Sequence, residues 1–172
     1  MAVKTSLNRF PIDALTVFRA SGLAGVTASG GSTGAIGATG VTTGYLTLDQ
    51  LTAYWNIGDN ANDMQFAIRG QVESISATTG SPTVAFTVRF DTDTAFTSPT
   101  AIVEDTDVAV SAAGTFVILV SKEQIVDALT QLSVGTTTAT PVYMDVYATV
   151  AGGSTSPVVA WNAYASPLPE AS

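Results

Sequence analysis

The chain has 172 residues, a net charge of −8, only 12% charged residues, and neither histidine nor cysteine. That length suits one domain with a sizeable core. The missing residue types remove disulfide frameworks, thiolate metal sites and the commonest catalytic bases and nucleophiles. With six basic residues in all, the chain also lacks the electrostatic footprint of a nucleic-acid or anionic-lipid binder.

Residues 1–13 read as an extended N-terminal arm. Pro11 disfavours a helical conformation at Phe10, and thirteen extended residues reach roughly 40 Å. The arm is polar, carries Lys4 and Arg9, and has no apolar stretch of the kind a secretory signal needs. The expectation is synthesis in a cytoplasm without a standard export signal. Arg9, Phe10 and Pro11 form a short anchor: one large apolar group and one guanidinium, available to a neighbouring surface.

The body, residues 14–172, reads as a single β-sandwich domain. Leu15 to Ala20 is a first strand. Residues 21–44 follow as a loop of Gly, Ala, Thr and Ser. Such a composition suits a flexible linker. The sharper alternative is a loop that orders against a partner, since ordering some twenty residues costs tens of kcal/mol and small side chains offset little of it. Its glycines match no phosphate-binding loop, because no Gly-Lys-Ser/Thr follows.

Beyond Gly44 the strand signal is regular. Tyr45 to Asp49 alternates, with Leu46 and Leu48 on one face. Met64, Phe66, Ile68 and Val72 share a face, with Gln65, Arg69 and Gln71 opposite. Val84, Phe86, Val88 and Phe90 point one way, Thr87 and Arg89 the other. These are period-two patterns of half-buried antiparallel strands. Ala101 to Glu104 and Val108 to Val110 are shorter. Thr115 to Val120 (TFVILV) is apolar on both faces and reads as a central, buried strand.

One helix interrupts. Ser121 and Gln124 stand in capping-box spacing. Ile125, Ala128, Leu129 and Leu132 recur at helical spacing, predicting a helix at about 122–131. Val142, Met144, Val146, Ala148 and Val150 then alternate against Tyr143, Asp145, Tyr147 and Thr149. Gly152, Gly153 and Pro157 suit a turn, and Val158 to Ala165 returns, so this pair reads as a C-terminal hairpin. About eight antiparallel strands with long connections suit a jelly-roll β-sandwich.

Two constellations offer chemistry. Asp91, Asp93, Glu104, Asp105 and Asp107 are either a calcium site or turn residues that bond local backbone amides. Their spacing lacks the long calcium-loop pattern, which favours the turn. Tyr54, Trp55, Trp161, Tyr143 and Tyr147 are either a sugar platform or core and interface aromatics. Tyr143 and Tyr147, on an outward strand face, suit a protein contact. No stretch approaches a membrane span, and nothing predicts a cofactor or a resident metal.

Three segments resemble the small jelly-roll capsid cement, or decoration, proteins of tailed bacteriophages. These are DALTVFRASGL leading into the Gly/Ala/Thr loop, VRFDTDTAFTSPTAIV in the middle, and VYMDVYATVAGG with STSPVVAWNAYASP at the end. The resemblance implies a structural virion protein and no enzyme. It would bind the outer capsid surface, bridge and stabilise major capsid proteins, and associate with itself as a dimer or trimer, without nucleic-acid or membrane partners. The expected contact residues are Arg9, Phe10, Pro11, Tyr143 and Tyr147. The alternative is a carbohydrate-binding or adhesin β-sandwich.

Overall fold

Alternating large apolar residues build most of the body into antiparallel strands. A computed structural model describes residues 17–22, 25, 30–31, 45–48, 65–76, 80–103, 108–109, 113–134, 140–153 and 158–167. The arm with Arg9, Phe10 and Pro11, most of the 21–44 loop, Tyr54, Trp55, Met64, Glu104, Asp105 and Asp107 lie outside the described residues.

Among the described residues ten strands form two sheets. The first sheet runs β1 (Val17–Arg19), β10 (Val158–Pro167), β4 (Phe66–Ser76), β8 (Gly114–Val120). In the second, β9 (Tyr143–Gly153) and β5 (Gly80–Asp91) form the centre. Short strands β2 (Gly30–Gly31) and β3 (Leu46–Thr47) flank β9, and β6 (Thr100–Val103) and β7 (Val108–Ala109) flank β5. All pairings are antiparallel.

The sheets face each other through one apolar core. Phe66, Ile68, Val72, Phe116, Ile118 and Trp161 come from the first sheet; Val84, Phe86, Val88, Phe90, Met144 and Val146 come from the second. Phe86 joins the layers, stacking on Phe116 at 4.0 Å between centroids and meeting Trp161 edge-on at 5.1 Å. Gly70 makes room for this contact. A Cβ there would overlap the Phe116 ring and the Asn162 carbonyl.

The helix α1 (Lys122–Gln131) packs Ile125, Ala128 and Leu129 into the core. Its capping box is complete: the Ser121 hydroxyl accepts from the Gln124 N–H at 3.3 Å, and the Gln124 side chain accepts from the Ser121 N–H at 2.8 Å. The C-terminal end closes with Val134 N–H donating to Leu129 O and Ser133 N–H to Thr130 O, both at 3.0 Å. Ser133 takes the left-handed conformation (φ 57°) that this motif needs; glycine, the residue that adopts it most readily, stands two positions further on.

Two expectations are corrected. The strand at 115–120 is not central: β8 pairs β4 and closes one side of the first sheet, leaving Val117 44% and Leu119 54% exposed. An apolar run on both faces resembles a buried strand whether its outer face is covered or not. The C-terminal pair is not a hairpin either. β9 pairs β5 in the second sheet and β10 pairs β4 in the first, so the chain between them crosses from sheet to sheet. Both strands keep one apolar face, and in a sandwich those faces oppose each other across the core instead of lying side by side.

Candidate interaction surface

The outer face of the second sheet carries the densest polar chemistry described. In the β5–β9 register Arg89 stands opposite Asp145, and Thr87 opposite Tyr147. Alternation sends these side chains away from the core. Arg89 donates through Nε to Asp145 Oδ1 at 2.8 Å and through a terminal nitrogen to Oδ2, a bidentate pair. Asp145 is fully buried although its strand face is the outer one.

Aromatic rings enclose the cation. The Arg89 guanidinium lies 4.2 Å from the Tyr147 ring centroid and 5.2 Å from that of Phe96. Phe96 arrives from the turn after β5, which folds back over the sheet and is itself buried. Asp91 shapes this turn: one carboxylate oxygen accepts from the Asp93 N–H and the other from the Ser98 N–H, each at 3.1 Å. Asp93 accepts from the Ala95 N–H at 3.0 Å and the Thr97 hydroxyl at 3.2 Å. Phe96 is held at φ 51°, a conformation uncommon for a non-glycine residue. These carboxylates thus serve the turn, and no cluster with metal-binding spacing occurs among the described residues.

Burial pushes the Asp145 carboxyl above its ordinary range. The hydrogen bonds and charge of Arg89 pull it part of the way back, and Asp91 adds a smaller upward push.

Tyr143 and Tyr147 are both half-buried. Tyr147 is braced by Arg89, and Tyr143 meets Tyr45 edge-on at 5.2 Å. Together with Thr47 and Thr87 they form a rigid face of amphipathic rings and short hydroxyls. Trp161 takes no part in such a face: it is buried in the core at 1% exposure, which removes it from any sugar platform.

A second polar cluster ties β1 to the neighbouring strands. Arg19, 2% exposed, donates to the Trp161 carbonyl at 2.9 Å and lies 5.2 Å from that ring's centroid. Burial lowers its pKa, and Glu73 opposes that shift. Glu73 accepts from the Asn162 amide at 2.8 Å and from the Gly22 N–H at 3.1–3.2 Å. Although burial alone would raise the Glu73 pKa, bonds from Ser21, Asn162 and Gly22 and the charge of Arg19 together hold it below its usual range.

Sequence reasoning missed Arg89, Asp145, Arg19, Glu73 and Phe96. The usable signal was a charged residue at an outward position in each of two long alternating strands, but pairing Arg89 with Asp145 requires the register, which neither strand reveals alone. No protein-family model matches this chain, and comparison with curated proteins and with solved structures finds no significant match.

Proposed function

We propose that this chain is a structural virion protein, a capsid cement protein that binds the outer capsid surface and bridges major capsid proteins. Its partners are the major capsid protein and further copies of itself, its place is the outside of the virion, and it catalyses nothing. The observation that carries this reading is the braced tyrosine face of the second sheet. Tyr143 and Tyr147 are fixed in advance by Tyr45 and Arg89, so a partner docking there orders little further. Tyrosine supplies large contact area with few rotatable bonds, the property that enriches it at protein interfaces.

The fold belongs to the same proposal. Let β2 with β3, and β6 with β7, each count as one rank. The first sheet then has the order first, eighth, third, sixth, and the second has second, seventh, fourth, fifth. That wrap of interleaved antiparallel strands supports a jelly roll. The acidic balance of the chain fits a position outside a packaged genome.

The test uses heads assembled from the major capsid protein encoded in the same genome. Purified chain is expected to bind them saturably and to raise the temperature at which they rupture. Tyr143→Ser loses the ring contact with Tyr45 and should destabilise the free protein by about 0.5–1.5 kcal/mol, yet occupancy is expected to fall even at temperatures where the variant stays fully folded. Heads that take up no protein, or take it up without added heat resistance, would overturn the reading.

A further inference from the structure

Every outermost strand described in this sandwich is short except one. The flanking strands β1, β2, β3, β6 and β7 have 3, 2, 2, 4 and 2 residues. β8 has seven, in the sequence GTFVILV. Short length, charge, proline and bulges are the devices that keep a sheet edge from pairing with another chain. β8 has none of them: it holds no charged residue and no proline, and its ladder with β4 runs from Phe66↔Val120 to Val72↔Gly114 without a register shift. The ladders that β10 makes with β1 and β4 are both irregular.

The outer face beside this edge is apolar as well. Val117 and Leu119 are the large apolar residues most exposed among those described. Arg69 is the cross-strand partner of Val117, but its Nε donates to Ser166 Oγ at 3.0 Å, which turns the guanidinium toward β10 and away from the edge.

We propose that β8 pairs antiparallel with β8 of a second copy about a two-fold axis at Val117, joining the two first sheets into one continuous sheet. Three features select a second copy as the occupant. An uncharged seven-residue edge calls for an uncharged strand of similar length, and β8 is itself such a strand. The arrangement is self-complementary, with Val117 facing its own counterpart and Thr115 facing Leu119 of the second copy. The opposite edge, β1, has three residues among those described and an irregular ladder, so the described residues give head-to-tail pairing of β8 onto β1 no matching surface, and the contact closes as a dimer. The cations nearest the seam do not oppose it. The two Arg69 side chains start from strands three spacings apart, about 14 Å, beyond the screening length of about 8 Å at physiological salt. This dimer does not depend on the capsid reading and is tested on the isolated protein.

Sedimentation equilibrium of the full chain is expected to show a monomer–dimer equilibrium. Leu119→Lys, at an exposed site, should weaken the dimer by at least about tenfold, since the two-fold axis introduces the change twice. Geometry has its own readout, because the chain has no cysteine. Val117→Cys is expected to form an intermolecular disulfide rapidly on oxidation, as facing Cα atoms in an antiparallel pair lie about 4.5–5.5 Å apart. Thr149→Cys, exposed on the other sheet, serves as the slow control. A protein that stays monomeric up to about 100 µM, that assembles as a trimer, or whose Val117→Cys crosslinks no faster than the control would overturn the proposal.

Discussion

Removing the Arg89 side chain should be the most damaging change on the outer face of the second sheet, and its cost should depend on pH in a stated direction. Arg89→Ala takes both hydrogen bonds from Asp145, a fully buried carboxylate. Breaking a buried pair from one side costs about 3–5 kcal/mol, because the remaining charge is left uncompensated. The cation contacts with Tyr147 and Phe96, at 4.2 and 5.2 Å, disappear with it. Asp145 has one way to reduce this cost, which is to bind a proton. Its carboxyl already lies above the ordinary 3.8 with Arg89 present, and without Arg89 it moves higher. A carboxyl raised in the folded state favours folding fully below its unfolded value, and this favour is lost as pH rises through the folded value. The deficit of the variant relative to wild type should therefore be largest near neutral pH and shrink on acidification, by up to about 1.4 kcal/mol per pH unit. Urea melts of both proteins between pH 4 and 8 measure this. A deficit that is flat with pH, or one that grows toward acid, would refute the reasoning; so would a deficit below about 1 kcal/mol at pH 7. Arg89→Ala combined with Asp145→Ala should recover part of the loss.

Asp91→Ala leaves the Asp93 and Ser98 amides without their acceptor and should cost about 2–4 kcal/mol in a thermal or urea melt, while millimolar calcium should leave the wild-type melting temperature unchanged, against the calcium reading of the acidic cluster. Ser121→Ala opens the capping box and should lower stability by about 0.5–2 kcal/mol, read from the urea midpoint at constant m-value. Gly70→Ala forces a methyl group into the Phe116 ring and the Asn162 carbonyl, so it should destabilise by about 1–3 kcal/mol and alter the near-ultraviolet signal of neighbouring Trp161.

How much of this was legible depended on whether the signal was local. The period-two runs at 66–72, 84–90 and 142–150 and the Ser121–Gln124 spacing report on neighbours a few residues away, and those elements stand where the alternation and the capping spacing put them. The role of Asp91 and Asp93 was legible for the same reason, since their acceptors serve amides two to seven residues on. Sheet membership was not. Nothing in VYMDVYATVAGG or VVAWNAYASP distinguishes a hairpin from a crossover, because alternation specifies a buried face without naming the strand beside it. The edge position of β8 was lost in the same way, since Val117 and Leu119 read as core until the neighbour on their far side is known to be missing among the described residues. The site follows this rule as well: Arg89 and Asp145 are 56 residues apart in the chain and meet only through register.

Under the proposed bridging role, the two faces of the sandwich divide the work. On the second sheet the polar groups are spent internally: Arg89 on Asp145 and two rings, Asp91 and Asp93 on their own turn. That leaves the tyrosines as a stiff, nearly uncharged contact face. On the first sheet Arg69 is drawn toward Ser166, Glu73 toward Gly22 and Asn162, and the side of β8 that pairs with no described strand is left uncharged. A chain with a net charge of −8 repels its own copies at long range, and that repulsion falls off over about 8 Å at physiological salt. Association must then rest on short-range surfaces from which charge has been removed, and the described residues hold two of these, on opposite sheets. A dimer through β8 would place its two tyrosine faces on separate copies, related by the same two-fold axis. Two weak contacts would then act as one bivalent attachment, whose strength depends on the spacing of the sites they grip. Substitutions at Leu119 should consequently weaken binding to an ordered array of partners far more than binding to one isolated partner, although β8 touches neither.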